Sequence, residues 1–203
     1  RSGTAVEAVY KGDRFAHQAA HLEDGLLTWA GWPDEMKDGV GGCYDAGDYG
    51  KYTVNAALTV GTMLMAWDLY ADRLADVPLA IPEAGGELPD YLDEIKWEMD
   101  WVLKMQYPDK SGRVFHKLTA LDFSAFVLPE NTWDERFFVP YSTSATAGFA
   151  AICARASRAY RPYDEEFADK CLSAGIMSHA FLGENPEDVP ADQDYFRTGR
   201  YQS

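Results

Sequence analysis

Four stretches of this chain carry apolar side chains at the three- and four-residue spacing of an amphipathic helix, and that recurrence limits the possible folds more than any other feature. From Thr53 to about Ala71 the stripe is Leu58, Thr62, Met65 and Leu69, and a polar, Pro-containing segment ends it. Pro89 opens a second helix with Asp90, Asp93 and Glu94 near its positive end; Leu92, Ile95, Met99, Val102 and Leu103 form its stripe, and it stops near Gln106. Ser142 to Tyr160 places Phe149, Ile152, Cys153, Ala156 and Tyr160 on one face. Asp164 to Leu182 turns Phe167, Cys171, Ala174, Gly175 and Phe181 inward, with Gly183 as its stop.

Between the second and third helices, Ser111 to Thr119 follows a turn and reads as a loop or small hairpin. Trp97 and Trp101 fall where helix packing would bury them, while Trp133 lies in the loop from Pro129 to Pro140. Almost no alternating strand pattern is present. The expectation is an all-α fold of packed helical hairpins. The chain starts abruptly at Arg1 and stops in a polar stretch at Gln202-Ser203, which predicts one part of a larger domain.

Composition excludes several partners. With 18 Lys and Arg against 33 Asp and Glu, a formal charge of −15, the chain would repel a nucleic acid backbone or an anionic membrane. Nothing approaches the ~20 consecutive apolar residues of a membrane span. The three cysteines, Cys43, Cys153 and Cys171, show no close pairing. Cys153 and Cys171 read as buried free thiols acting as small hydrophobes, with a disulfide between them the lesser alternative.

The segment Gly41-Gly42-Cys43-Tyr44-Asp45-Ala46-Gly47-Asp48-Tyr49-Gly50-Lys51-Tyr52 stands apart. It sets two carboxylates, Asp45 and Asp48, three residues apart just before a helix. Spacing alone fits a helix cap on Asp48 and a turn supported by Asp45 as readily as it fits catalysis. Flanking glycines let a backbone turn tightly beside a ligand, and Tyr44, Tyr49 and Tyr52 offer aromatic faces that suit sugar rings. A carboxylate at a helix N-terminus is also biased toward the ionised form that a general base requires.

This segment resembles the catalytic loop of glycoside hydrolase family 9, a family of many cellulases. The resemblance continues, in order, through Ile81-Pro82-Glu83-Ala84-Gly85-Gly86-Glu87-Leu88-Pro89-Asp90-Tyr91-Leu92-Asp93-Glu94, Lys96-Trp97-Glu98-Met99-Asp100-Trp101, Lys104-Met105-Gln106, Gly112 to Thr119, and Ser142-Thr143-Ser144-Ala145-Thr146. It implies an (α/α)6 toroid, of which residues 1–203 are roughly the first half, and hydrolysis of β-1,4-glucan with inversion. In that scheme Asp48 matches the general base, Asp45 the companion that holds the attacking water, and His116 a cleft residue that contacts sugar. Tyr44, Tyr49 and Trp133 are the aromatic candidates for substrate contact. The family's general acid is a glutamate beyond this chain, so the C-terminal half of the domain is an expected partner. An upstream β-sandwich module and secretion are implied in the same way. Alone, half a toroid exposes its core and is expected to fold poorly and be inactive.

Many relatives hold a structural zinc with two Cys and two His beside the catalytic loop. The corresponding positions here are Ser2, Ala20, His21 and Tyr44, so only His21 survives and no metal or other cofactor is expected. His17, four residues before His21, shares its face only if that stretch is helical.

Three other readings compete. A helical domain that binds glucan without cleaving it would tolerate loss of the Asp48 charge. An (α/α)6 glycosidase acting on xylan, mixed-linkage glucan or cellodextrins would keep the same aspartates. A purely structural helical module leaves the Gly-rich aspartate pair unexplained.

Overall fold

The computed structural model of the chain describes residues 1–201, so the Gln202-Ser203 terminus lies outside the described residues. Four helices form where the periodicity places them: α1 over Thr53–Leu74, α2 over Asp90–Lys104, α3 over Thr143–Tyr160 and α4 over Glu165–Glu184. Two of them begin on side-chain caps. Ser142 accepts from the Ala145 N–H at 3.1 Å, and Asp164 accepts from Phe167 at 2.9 Å, satisfying donors that the first helical turn leaves open.

Helix α3 packs against both α1 and α4, and α1 also packs against α2. The core between them contains Leu64, Trp67, Met99, Trp101, Phe149, Cys153, Tyr160 and Cys171. Cys153 and Cys171 are free and buried there.

The face that α1 buries differs from the expected stripe. Ala56, Val60, Leu64 and Trp67 point inward, whereas Leu58 is 73% exposed and Leu69 is 66% exposed. Both sets have helical spacing, and only the neighbours α2 and α3 decide which one is covered. At the other end of the chain, α4 runs past Gly183 because Asn185 takes over the termination, donating its backbone N–H and side-chain amide to the Phe181 carbonyl.

The structure is not all-α. Strands β1 (Val6–Tyr10) and β2 (Asp13–His17) form a hairpin, and β3 (Lys51–Tyr52), β4 (Phe115–Thr119) and β5 (Phe137–Tyr141) form an antiparallel sheet in the order β3-β4-β5. The hairpin turns at Lys11 and Gly12, both with positive φ, the geometry that matches strand twist. His17 therefore sits on a strand and shares no helical face with His21. Every residue of β4 is buried, so its sequence shows no alternation for a strand pattern to register. The central strand β4 lies against α1 and α3 and anchors the loop that precedes β3. Among the described residues no helix is long and apolar enough to cross a membrane.

Candidate active site

The Gly41–Gly50 loop closes on itself just ahead of β3. Asp45 N–H donates to the Gly50 carbonyl at 2.9 Å, and Tyr49 N–H to the Ala46 carbonyl at 3.1 Å. Gly42 has φ +72°, and a Cβ there would lie 2.7 Å from the Trp101 ring, so only glycine fits. The indole N–H of Trp97 holds the Gly42 carbonyl at 3.0 Å. Trp97 is half-buried beneath Arg1, in place of the expected core position, while Trp101 is fully buried.

Within this loop the two aspartates have different surroundings. Asp48 is 3% exposed, and both oxygens are engaged: Oδ1 accepts from Gly50 N–H at 2.9 Å and Oδ2 from the Tyr52 hydroxyl. Burial and this bond push the Tyr52 phenol well above its usual range, so Tyr52 stays a donor. Asp45 is exposed, held by the Asn55 amide at 2.7 Å and the Tyr201 hydroxyl at 2.6 Å. Neither aspartate caps α1, whose N-cap is Tyr52 without a side-chain bond. A cavity of about 250 Å³, lined in part by Tyr44, Asp45, Tyr52, Asn55 and Glu98, opens beside Asp45.

A buried ionic cluster supports the loop from below. Asp24 receives Lys51 at 2.7 Å and Arg136 at 2.7 Å, and all three side chains are almost fully buried. Arg136 extends a second nitrogen to the Tyr49 carbonyl at 2.5 Å, and Lys51 reaches the Gly39 and Gly41 carbonyls. None of this was visible from spacing, because Asp24, Lys51 and Arg136 lie in three separate segments.

Tyr44 and Tyr49 meet edge-to-face with ring centroids 5.2 Å apart, beside His21. Tyr49 donates to the Val127 carbonyl, bringing the loop around Phe126 against the aspartate loop; Gly47, Tyr49 and residues 125–128 line an open pocket there. Trp133 is 89% exposed in the same outer loop, next to Thr132, whose hydroxyl meets His21 Nε2 at 2.8 Å. Phe126 is also fully exposed beside the aspartate loop, a position that no helical or strand pattern marks. His116, expected to face the cleft, is instead fully buried: Nδ1 meets Ser142 Oγ at 2.8 Å and Nε2 meets the Arg200 carbonyl at 3.0 Å. Burial also holds its ring below the usual histidine range, which favours the neutral form.

The four positions that the resemblance aligns with a zinc site lie close together. Ser2 N–H bonds to Gly42, Gly3 N–H bonds to Ala20, and His21 Nδ1 meets the Tyr44 hydroxyl at 2.6 Å. Serine, alanine and tyrosine there do not form a zinc-binding set, and a single histidine is not enough to hold the ion. Among the described residues no group of three or more His, Cys, Asp or Glu side chains is placed to hold a metal.

The family model for glycosyl hydrolase family 9 matches residues 1–203. The chain belongs to glycosyl hydrolase family 9. It is 49% identical to Endoglucanase D of Acetivibrio thermocellus over 201 residues, which is 99% of this chain and 32% of that protein. A solved family 9 structure from Bacteroides ovatus superposes with a TM-score of 0.89 at 32% identity, covering 100% of this chain and 40% of the other. A Zn-binding triple mutant of the family 9 endoglucanase J30 superposes with a TM-score of 0.85 at 29% identity, over 97% of this chain and 37% of that one. The chain thus spans about a third of the length of the curated relatives it matches.

Proposed function

We propose that the parent protein hydrolyses β-1,4-glucosidic bonds in cellulose or a related β-glucan, with inversion, and that Asp48 is the base that takes a proton from the attacking water. The observation that carries this reading is the contrast between the two aspartates: Asp48 is buried and anchored through both oxygens, while Asp45 is exposed three residues away. An anchored carboxylate keeps a fixed direction and still has a free lone pair for a water proton. Asp45 holds that water from the solvent side. Inversion needs a general acid ~6.5–9.5 Å from the base, and we assign that role to a glutamate outside this chain.

Tyr44, Tyr49 and Trp133 are the proposed sugar contacts, since apolar sugar faces stack on exposed aromatic rings. His116 enters this reading as a support for the site floor, because both ring nitrogens are already engaged. The whole catalytic domain is proposed to be an (α/α)6 toroid completed by the rest of the polypeptide, which would cover the outward apolar side chains of α1. No zinc is proposed, for want of ligands at Ser2, Ala20 and Tyr44. Secretion is proposed from the polymeric substrate.

The test is sugar release from carboxymethyl-cellulose by the full-length parent, wild type against Asp48→Asn. A loss of at least ~10²-fold is expected for a general base. Binding of β-glucan without any sugar release by the wild type would replace hydrolysis with recognition alone.

A further inference from the structure

Two lysines are fully buried on the three-stranded sheet, and they are stabilised differently. Lys51 faces the Asp24 carboxylate. Among the described residues, Lys117 has hydrogen bonds only to neutral groups, the Thr198 hydroxyl at 3.3 Å and the Gly199 carbonyl at 2.8 Å. A buried ammonium that lacks a contacting carboxylate is costly, so its position calls for a compensating charge nearby.

The strand register supplies one. Tyr52 on β3 pairs directly with Lys117 on β4, so both side chains stand on the same face of the sheet. The Lys117 ammonium lies 5.5 Å from the centroid of the Tyr52 ring, and the hydroxyl of that ring donates to Asp48 Oδ2. The ammonium thus lies over the ring and the carboxylate at its hydroxyl, with Lys117, Tyr52 and Asp48 all buried.

We propose that Lys117 is a positioning residue for the hydrolysis, the buried positive charge over the Tyr52 ring that keeps Asp48 in its carboxylate form. The inference rests on the reading of Asp48 as the base. Loss of water pushes any buried carboxyl toward its neutral form, which cannot accept a proton, and a cation nearby opposes that push. Burial brings the Lys117 ammonium down to about 8, and the Asp48 charge acts in the opposite direction. The other charged or titratable groups around these three are Arg200, which repels Lys117; Tyr201, packed 4.7 Å from Tyr52; Asp45, bonded to the Tyr201 hydroxyl; and His116, the preceding residue on β4. Among the described residues, Asp48 is the carboxylate whose charge favours the Lys117 ammonium.

The experiment is the pH dependence of kcat/KM on soluble cellulose for the full-length parent, comparing wild type, Lys117→Met and Asp48→Asn. The account expects the acidic limb of Lys117→Met to move up by about one pH unit, roughly tenfold less activity on that limb relative to its own plateau. A purely structural lysine would lower the whole profile without moving the limb, and an unmoved limb overturns the inference. If the methionine variant does not fold, Lys117→Gln keeps a donor for the Gly199 carbonyl and has the same two outcomes. Asp48→Asn separates the failures. If it stays active, the base assignment falls and the inference falls with it; if it is inactive while the lysine variant keeps its limb, only the inference falls.

Discussion

Arg136 Nη1 lies 2.5 Å from the carbonyl oxygen of Tyr49, the residue after Asp48, while Arg136 Nε lies 2.7 Å from the buried Asp24 carboxylate. Tyr49 has φ +51°, a conformation that non-glycine residues adopt only when their surroundings hold them there. Asp24 is therefore the counter-charge for both cations that grip the loop. Asp24→Ala in the full-length parent would leave Lys51 and Arg136 buried against each other, at a cost of ~3–5 kcal/mol. Urea denaturation should show that loss; a change under 1 kcal/mol, far below the usual cost of breaking a buried pair, would mean that the cluster contributes little to the fold.

The convergence of Ser2, Ala20, His21 and Tyr44 predicts that zinc binding can be restored. Ser2→Cys, Ala20→Cys and Tyr44→His together supply a two-cysteine, two-histidine set. The purified variant should carry about one zinc per chain and melt at a higher temperature, because binding only to the folded state stabilises it. A triple variant that purifies without metal would show that these side chains do not meet as placed.

His21 predicts one component of acid sensitivity. Burial, with Arg136 adding repulsion, lowers its ring from 6.5 to about 4 in the folded chain. The unfolded chain therefore takes up a proton first as pH falls. The stability that neutral His21 contributes is complete above about 6.5 and is lost as the pH drops toward about 4. Melting temperatures between those values should fall less steeply for His21→Gln than for wild type; parallel curves would remove His21 from the acid response.

Glu98 acts with the opposite sign. Burial raises its carboxyl from 4.5 to about 7, against the Cys43 N–H that it accepts at 2.7 Å. Its contribution is present below about 4.5 and is lost as pH rises toward about 7. Glu98→Gln retains an acceptor for Cys43, so it should raise the melting temperature more at pH 8 than at pH 4.5, pH values on either side of the window that linkage defines. An equal shift at both would exclude this titration.

Trp133, if it stacks on sugar, contributes to binding without touching the reacting bond. Trp133→Ala should raise KM several-fold with little change in kcat, the signature of lost uniform binding. Unchanged KM and kcat would put Trp133 outside the substrate contacts.

Much of the helical framework was legible, because the α2, α3 and α4 stripes each face a core that their own spacing defines. Helix α1 was not, since Leu58 and Leu69 repeat with the same period as Val60 and Leu64, and tertiary contact alone separates them. Strand β4 lacked a signal because both of its faces are covered. In the site, Asp45 and Asp48 stood out through local glycine and tyrosine chemistry. The groups that brace their loop, Asp24 and Arg136, come from distant segments, and a charged residue in a loop or short strand reads as solvated until its partners are known. His116 shows the converse: an isolated histidine on an extended stretch gives no sign of whether it faces a ligand or, as here, a serine and a carbonyl in the interior.

The central claim, Asp48 as the base of an inverting hydrolysis, is tested most directly by replacing its carboxylate with an external nucleophile. Asp48→Ala in the full-length parent, given a soluble cellodextrin and sodium azide, should be nearly inactive alone and recover turnover as azide rises. The product should be the α-glycosyl azide, identified by NMR, since azide would enter from the face that water otherwise attacks. A variant that stays active without azide, or one that yields the β-azide, would contradict the account.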